Sequence, residues 1–400
     1  FPVERQGMAM TLFGLAALIA PVIGPTLGGW ITDSYSWRWV FLINVPVGLL
    51  ALAGCHALLR DPDYLATKRM ELRKQPFHFD SIGLSLLVIV MVSWEVMLSK
   101  GQEWDWLGDP FWRIQTLASL FAAGLVGLIF WELRHRNPVL NFRPLRERNF
   151  AACCIIIFCA YLALYAASTS LPGLLQSLFG YDALSAGLVM SPAGFFAVLA
   201  MPIVGRLLGR GTDARWLIAA GLLVMTAGNY WMSQLNLDIS PGQVIWPRVL
   251  VVAGLAVCFA PANVAAYLYT PMALRGAAVG LLSLLRNEGG SVGTSLSQTF
   301  QERRDQFHTL RLGEYLDPFN AAANSFLAHA RAFFLQQTAD PVAAQQFAWQ
   351  ELENLRQQQA SSLAYFDVFW MIAVLTLVVA FLVLFMKRSM AERGSHAGPG

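Results

Sequence analysis

Charge is what this chain has least of. Lys, Arg, Asp and Glu make up 13% of its 400 residues, about half the share of a soluble domain. Five cysteines (Cys55, Cys153, Cys154, Cys159, Cys258) all fall in apolar runs, without a CxxC pair or ligand-like spacing to a histidine. They read as buried thiols, against a disulfide framework or a zinc site. The six histidines are scattered, with no HExxH, no phosphate-cradling GxxxxGK and no acid-rich metal motif. A membrane-embedded enzyme is therefore disfavoured, and no catalytic residues, metal or cofactor are expected. Without a nucleotide motif, an ion gradient is the expected energy source. The net charge of +3 is small, and no nucleic-acid partner is expected.

What is present is hydrophobic length. Hydrophobic residues reach 56% and the mean hydropathy is +0.50. A core cannot absorb that excess, but a bilayer can. Runs long enough to cross it lie near 8–30, 39–59, 81–99, 112–132, 150–172, 184–204, 216–234, 244–268, 277–299 and 364–386. Each must be helical to satisfy its backbone in lipid, so the expected class is an all-α polytopic membrane protein with about ten spans.

The connections carry charge in alternation. Arg60, Lys68, Arg69, Arg73 and Lys74 share one; Arg134, Arg136, Arg143, Arg146 and Arg148 lie two further on; Arg206, Arg210 and Arg215 follow after two more. Between them, "GLLQSLFGYDAL" and "LNLDISPGQ" have no Lys or Arg. This positive-inside pattern predicts that 60–80, 133–149, 205–215 and the tail with Lys387, Arg388 and Arg393 are cytoplasmic. The long connection 300–363 then lies outside. "NAAANSFLAHARAFFLQQ" and "PVAAQQFAWQELENLRQQQ" predict a helix pair there, split by "TADP". It is either a pair of surface helices on the mouth of the bundle or a docking element for a periplasmic partner.

The stretch "LIAPVIGPTLGGW", residues 18–30, concentrates poor helix formers in an apolar span. Gly24 and Gly28 share a face extended by Ala20, a pattern that lets another helix approach closely, while Pro21 and Pro25 bend the helix. "GLAALIAPVIGPTLGGWI" followed by "WRWVFLINVPVG" resembles the antiporter motif of the major facilitator superfamily, in its fourteen-spanner drug:proton antiporter branch (EmrB/QacA type). Pro21, Gly24, Pro25, Gly28 and Gly29, then Trp37, Trp39, Phe41, Asn44, Pro46 and Gly48, carry the likeness. "LPGLLQSLFGYDALSAGLVMSPAG" and "RNEGGSVGTS" resemble later segments of the same family, so the likeness covers nearly the whole chain.

The resemblance implies the major facilitator fold and proton-coupled efflux of amphipathic, aromatic or cationic compounds, with lipid, protons and small molecules as partners. A periplasmic adaptor with an outer-membrane channel, and the bacterial inner membrane, come by the same analogy. It also implies that the kinked helix packs across the two halves and seals the outer side, with Gly24 and Gly28 setting the contact. In the family that helix is the fifth spanner, so roughly four helices are expected to be missing upstream, and the chain reads as a fragment. The expected organisation is 1–59 as the end of an N-terminal bundle, 60–149 as two linker spanners, 150–386 as a six-helix bundle and 387–400 as a cytoplasmic tail. The charged loop motif is degraded: Gly205, Arg206 and Arg210 remain, but Gly209 stands where an aspartate is usual, and Asp213 is wrongly spaced to replace it.

An intramembrane acid is the expected proton carrier, because burial moves a carboxylate toward neutrality. Glu288 is the candidate. Helical spacing places Glu288, Ser291, Ser295 and Gln298 on one stripe, with Asn287 and Thr294 beside it, lining a water-filled cavity. Arg286 points about 200° away from Glu288 and is not its expected partner. Two roles stay open for Glu288: proton carrier, or a salt bridge that only holds helices together. Glu95, Asp33 and Arg38 are expected to reach the interface, and Trp94, Trp104, Trp106 and Trp112 to form an aromatic belt. Phe158, Tyr161, Tyr165, Phe195 and Phe196 either line a cavity or pack. Export of one dedicated metabolite remains the alternative within transport.

Overall fold

A computed structural model describes residues 24–58, 80–108, 110–135, 138–237, 240–271, 274–317 and 319–389. The helices are α1 (24–34), α2 (Trp39–Leu58), α3 (Ser81–Lys100), α4 (Arg113–Arg134), α5 (Arg148–Ser177), α6 (Ala183–Gly209), α7 (Ala214–Ser233), α8 (Pro241–Leu268), α9 (Arg275–Gly313), α10 (Ala321–Thr338) and α11 (Pro341–Leu382). No strand occurs among the described residues. Carboxylates set several starts: Asp80, Asp182 and Asp213 each accept an amide hydrogen bond from the first turn of α3, α6 and α7, satisfying donors that the helix itself cannot. Pro172, Pro192, Pro202 and Pro261 sit inside helices, which neighbouring helices make tolerable.

Seven of these helices are long and apolar enough to cross a membrane, against the ten spans expected. The difference has two sources. The span at 8–30 lies mostly outside the described residues. α7 and α9 carry polar residues that lower their hydropathy, yet they pack along α8, α11 and α5, and their polar groups turn inward: Asn229 is fully buried, and Thr226 bonds Thr376 of α11 at 2.9 Å.

α5 forms the centre. Phe150, Ile156, Ala163, Ala166 and Leu174 are wholly buried. Small residues let its neighbours close in. A Cβ on Gly289 or Gly293 of α9 would strike the Phe158 or Leu162 carbonyl of α5. Gly221 of α7 and Gly254 of α8 face each other the same way, 2.6 Å from the opposing carbonyl oxygen. Of the cysteines expected to be buried, Cys153, Cys154 and Cys258 are, Cys159 is half-buried, and Cys55 on α2 is exposed. α2 buries none of its residues against the rest of the described chain.

The spans 277–299 and 364–386 are too short, and the 300–363 connection is no loose loop. α9 runs 39 residues and α11 42. At 1.5 Å per residue they are about 58 and 63 Å long, roughly twice a hydrocarbon core. Their extensions, with α10 packed on α11, make a helical projection. Asp367 accepts from Arg304 Nε at 2.5 Å and pairs with His308 Nε2 at 2.7 Å, and Asp305 accepts from Ser361 at 2.6 Å. The expected turn at "TADP" falls between α10 and α11, with Ala339 left-handed (φ 53°) and Asp340 capping α11.

At the opposite end the chain after α11 is clamped. Ser389 donates its amide to Asp213 and accepts from Ala214, while Lys387 donates to Asn149 and accepts from it in return. Tyr269 donates to the Arg388 carbonyl at 2.6 Å. The described part of the tail is thus fastened to α5, α7 and the end of α8; residues 390–400 lie outside the described set.

Candidate functional site

The glycine-proline helix meets the second half of the chain through Gly29. Gly24 and Gly28 have no described neighbour within 4 Å of where a Cβ would stand. Gly29 makes the close approach: its Cβ position is filled by the Ala183 and Leu184 backbone of α6. One turn deeper, a Cβ on Gly187 would lie 2.6 Å from the Pro25 carbonyl oxygen. Thr26 Oγ1 donates to the Gly187 carbonyl at 3.1 Å and also meets the Ser191 hydroxyl. Asp33, expected at the interface, accepts from the Leu184 amide at 2.8 Å and shares the start of α6 with Asp182, where negative charge suits the helix dipole. Pro21 lies outside the described residues.

The polar face of α9 opens onto a cavity of about 540 Å³, lined by Asn287, Ser291, Thr294, Ser295 and Gln298 together with Tyr165 and, from α3, Glu95 and Ser99. Glu95, expected at the interface, is exposed and also meets α9. Its Oε1 accepts from Ser291 at 2.8 Å, and Ser295 donates to the Leu98 carbonyl at 2.8 Å. Glu288 stands beside this cavity and does not line it. Trp94 and the Glu95 charge lie near its carboxylate, and its Oε2 is buried without a partner among the described residues. Trp94 and Trp106, expected in a belt, are thus drawn inward: Trp94 also stacks on Phe121 of α4, and Trp106 donates to Thr299 of α9 at 3.2 Å. Trp104 lies under the Arg113 guanidinium, and Trp112 is exposed.

A second cavity, about 500 Å³, adjoins the first through Tyr165 and Asn287. It lies between α1, α5, α6, α8 and α9, and Pro25, Tyr161, Ser168 and two arginines, Arg248 and Arg286, face it. Arg286 sits 5.7 Å over the Tyr161 ring, and no ion pair between it and Glu288 occurs among the described residues. Arg248 is only 5% exposed; its Nη2 donates to Ser168 Oγ at 2.6 Å, while Nε and Nη1 have no described partner. Of the aromatic candidates, Tyr161 and Tyr165 line this cavity, whereas Phe195 and Phe196 turn outward.

Arg248 was invisible to span-finding, because one cation in "QVIWPRVLVVAGL" leaves the run apolar; the signal was the cost of a cation at that depth. Gly205, Arg206 and Arg210 stay exposed at the end of α6 with no carboxylate paired to the arginines among the described residues. The nearby carboxylate, Asp213, binds Arg215 at 2.8 Å and the tail instead.

The sequence description of the Major Facilitator Superfamily matches residues 1–294. Over its whole length the chain is 31% identical to the multidrug export protein EmrB of Escherichia coli (strain K12), covering 74% of that protein. It is 32% identical to the EmrB of Haemophilus influenzae, with 97% of this chain and 72% of that one aligned. It is 30% identical to the fatty acid resistance protein FarB of Neisseria gonorrhoeae, over 82% of this chain and 63% of that protein. With apolar spanning helices and a membrane-depth polar cavity, the chain belongs to the Major Facilitator Superfamily and is a multi-pass membrane transporter, not an enzyme.

Proposed function

We propose that the chain works in proton-coupled efflux of amphipathic compounds from the cytoplasm by alternating access. The observation that carries this reading is the pair of adjoining cavities, one with an acid and one with cations, the second bordered by α1 and α6. Relatives named for multidrug export support the direction of transport. The arginine-rich connections 133–149 and 205–215 support a cytoplasmic assignment for the far end of α6; the contact at Gly29, Asp33 and Leu184 then closes the outer side. Proton coupling falls to the Glu288 and Glu95 carboxylates, which lie near each other where charge is costly. The α9–α11 projection, outside on this topology, is the surface for a periplasmic adaptor and an outer-membrane channel. Export of a dedicated metabolite is the second reading, favoured by a relative named for fatty acid resistance.

The test uses inside-out vesicles holding the protein from its complete reading frame. Substrate-induced collapse of a pH gradient is followed for wild type, Glu288→Gln and Glu95→Gln. Loss in either variant, with wild-type response, supports coupling through this pair. Equal response in all three places the coupling acid elsewhere, and silence of wild type toward a broad drug panel favours the dedicated exporter.

A further inference from the structure

The second cavity has an electrostatic character that membrane transport alone does not require. Two guanidinium groups, Arg248 from α8 and Arg286 from α9, face it, and none of its described lining residues is acidic. Arg286 rests on the Tyr161 ring. Arg248 is held from below by Ser168, which occupies one nitrogen and leaves two others buried without a partner among the described residues. An unpaired buried cation is costly, and a guanidinium fork matches the two oxygens of a carboxylate. Around it the walls are Pro25, Leu164, Met190 and Val252, an apolar setting for the body of an amphiphile.

We propose that this cavity takes organic anions, with the unpartnered Arg248 nitrogens as the anchor for a carboxylate or sulfonate and Ser168 as the residue that positions Arg248. This deepens the efflux reading, on which it rests for the direction of transport, and it replaces the cationic substrates that the family resemblance implied. The acid carried by the neighbouring cavity, Glu95, lies beyond Tyr165 and Asn287, outside the lining. A bound anion therefore meets the arginines first.

Three probes of one shape separate charge from hydrophobicity: 2-naphthoate, its neutral amide and 2-naphthylmethylammonium. Equilibrium binding is measured on the purified protein from its complete reading frame, for wild type, Arg248→Gln, Arg248→Lys and Ser168→Ala, each checked for a monodisperse elution profile. The naphthoate is expected to bind best to wild type. Arg248→Gln should weaken it at least tenfold while leaving the amide within twofold, Arg248→Lys should restore part of the loss, and Ser168→Ala should weaken it several-fold. Ser168→Ala keeps the argument testable if Arg248→Gln fails to fold. The ammonium probe binding best, naphthoate affinity unchanged in Arg248→Gln or, if that fails to fold, in Ser168→Ala, or no naphthoate binding at all overturns the proposal. Arg248-dependent naphthoate binding without any proton flux would instead overturn the efflux reading alone.

Discussion

Replacing Gly29 with alanine puts a methyl group where the Ala183 and Leu184 backbone already stands, with the Ala183 oxygen and the Leu184 Cα both too near to remain in place. Backbone on both sides cannot swing away like a side chain, so α1 and α6 must separate. Overpacking of this kind costs about 1–3 kcal/mol. Near 2 kcal/mol, a two-state equilibrium moves by roughly 30-fold, enough to turn a dominant closed state into a minor one. Gly24→Ala is the matched control. It gains the same helix propensity, about 1 kcal/mol, but meets no described atom within 4 Å. Spin labels at Trp37→Cys and Phe179→Cys straddle the closed end, and pulsed dipolar spectroscopy reads the distance between them. Cys55, exposed, and Cys159, half-buried, must first become serine; Cys153, Cys154 and Cys258 are buried. Gly29→Ala is expected to move the distribution to longer distances, with Gly24→Ala like wild type. Unchanged distances in Gly29→Ala, or an equal shift in both, would refute the assignment of the contact.

Two further predictions concern stability. Burial works to raise the Asp213 carboxyl, but hydrogen bonds from Arg215 and the Ser389 amide, with the Arg215 charge, outweigh it and hold the group below the usual carboxylate range. A depressed folded value means stability that is complete above the unfolded value, near 3.9, and lost as pH falls through the lower folded one. Asp213→Asn keeps a cap acceptor but loses the charge that pairs with Arg215, so it should melt earlier than wild type at pH 7, by about 1 kcal/mol, and the two curves should converge as pH falls below about 4. Gly293→Val should abolish the monodisperse fluorescence size-exclusion peak, since its side chain collides with the Leu162 backbone, whereas Gly276→Val, in open space among the described residues, should elute as wild type.

The polar stripe of α9 was legible because helical spacing alone puts Ser291, Thr294, Ser295 and Gln298 on a common side. Spacing also separated Arg286 from Glu288 correctly, and the helices flanking "TADP" were visible in their apolar period. Spacing cannot say which distant segment faces a stripe, so Glu95 opposite Ser291 and Asp33 on the start of α6 were not foreseen. Nor does a glycine row say which of its members meets which helix: Gly29, one residue round from Gly28, is the one that meets α6 among the described residues. The length of α9 and α11 was hidden because hydropathy ends where the membrane does, while the helix hydrogen bonding continues.

That continuity has a mechanical side. Ser291, against the cavity, and Arg311, far out in the projection, belong to one uninterrupted rod. A tilt of about 10° about its inner end would sweep the tip of a 58 Å helix by roughly 10 Å. α11 forms a second such lever, coupled to the first by Asp367 and Asp305. If transport proceeds by the alternating access proposed above, a small tilt at the cavity becomes a displacement far larger than its cause at the helix tips, and a probe fixed to the projection would read the cycle from there.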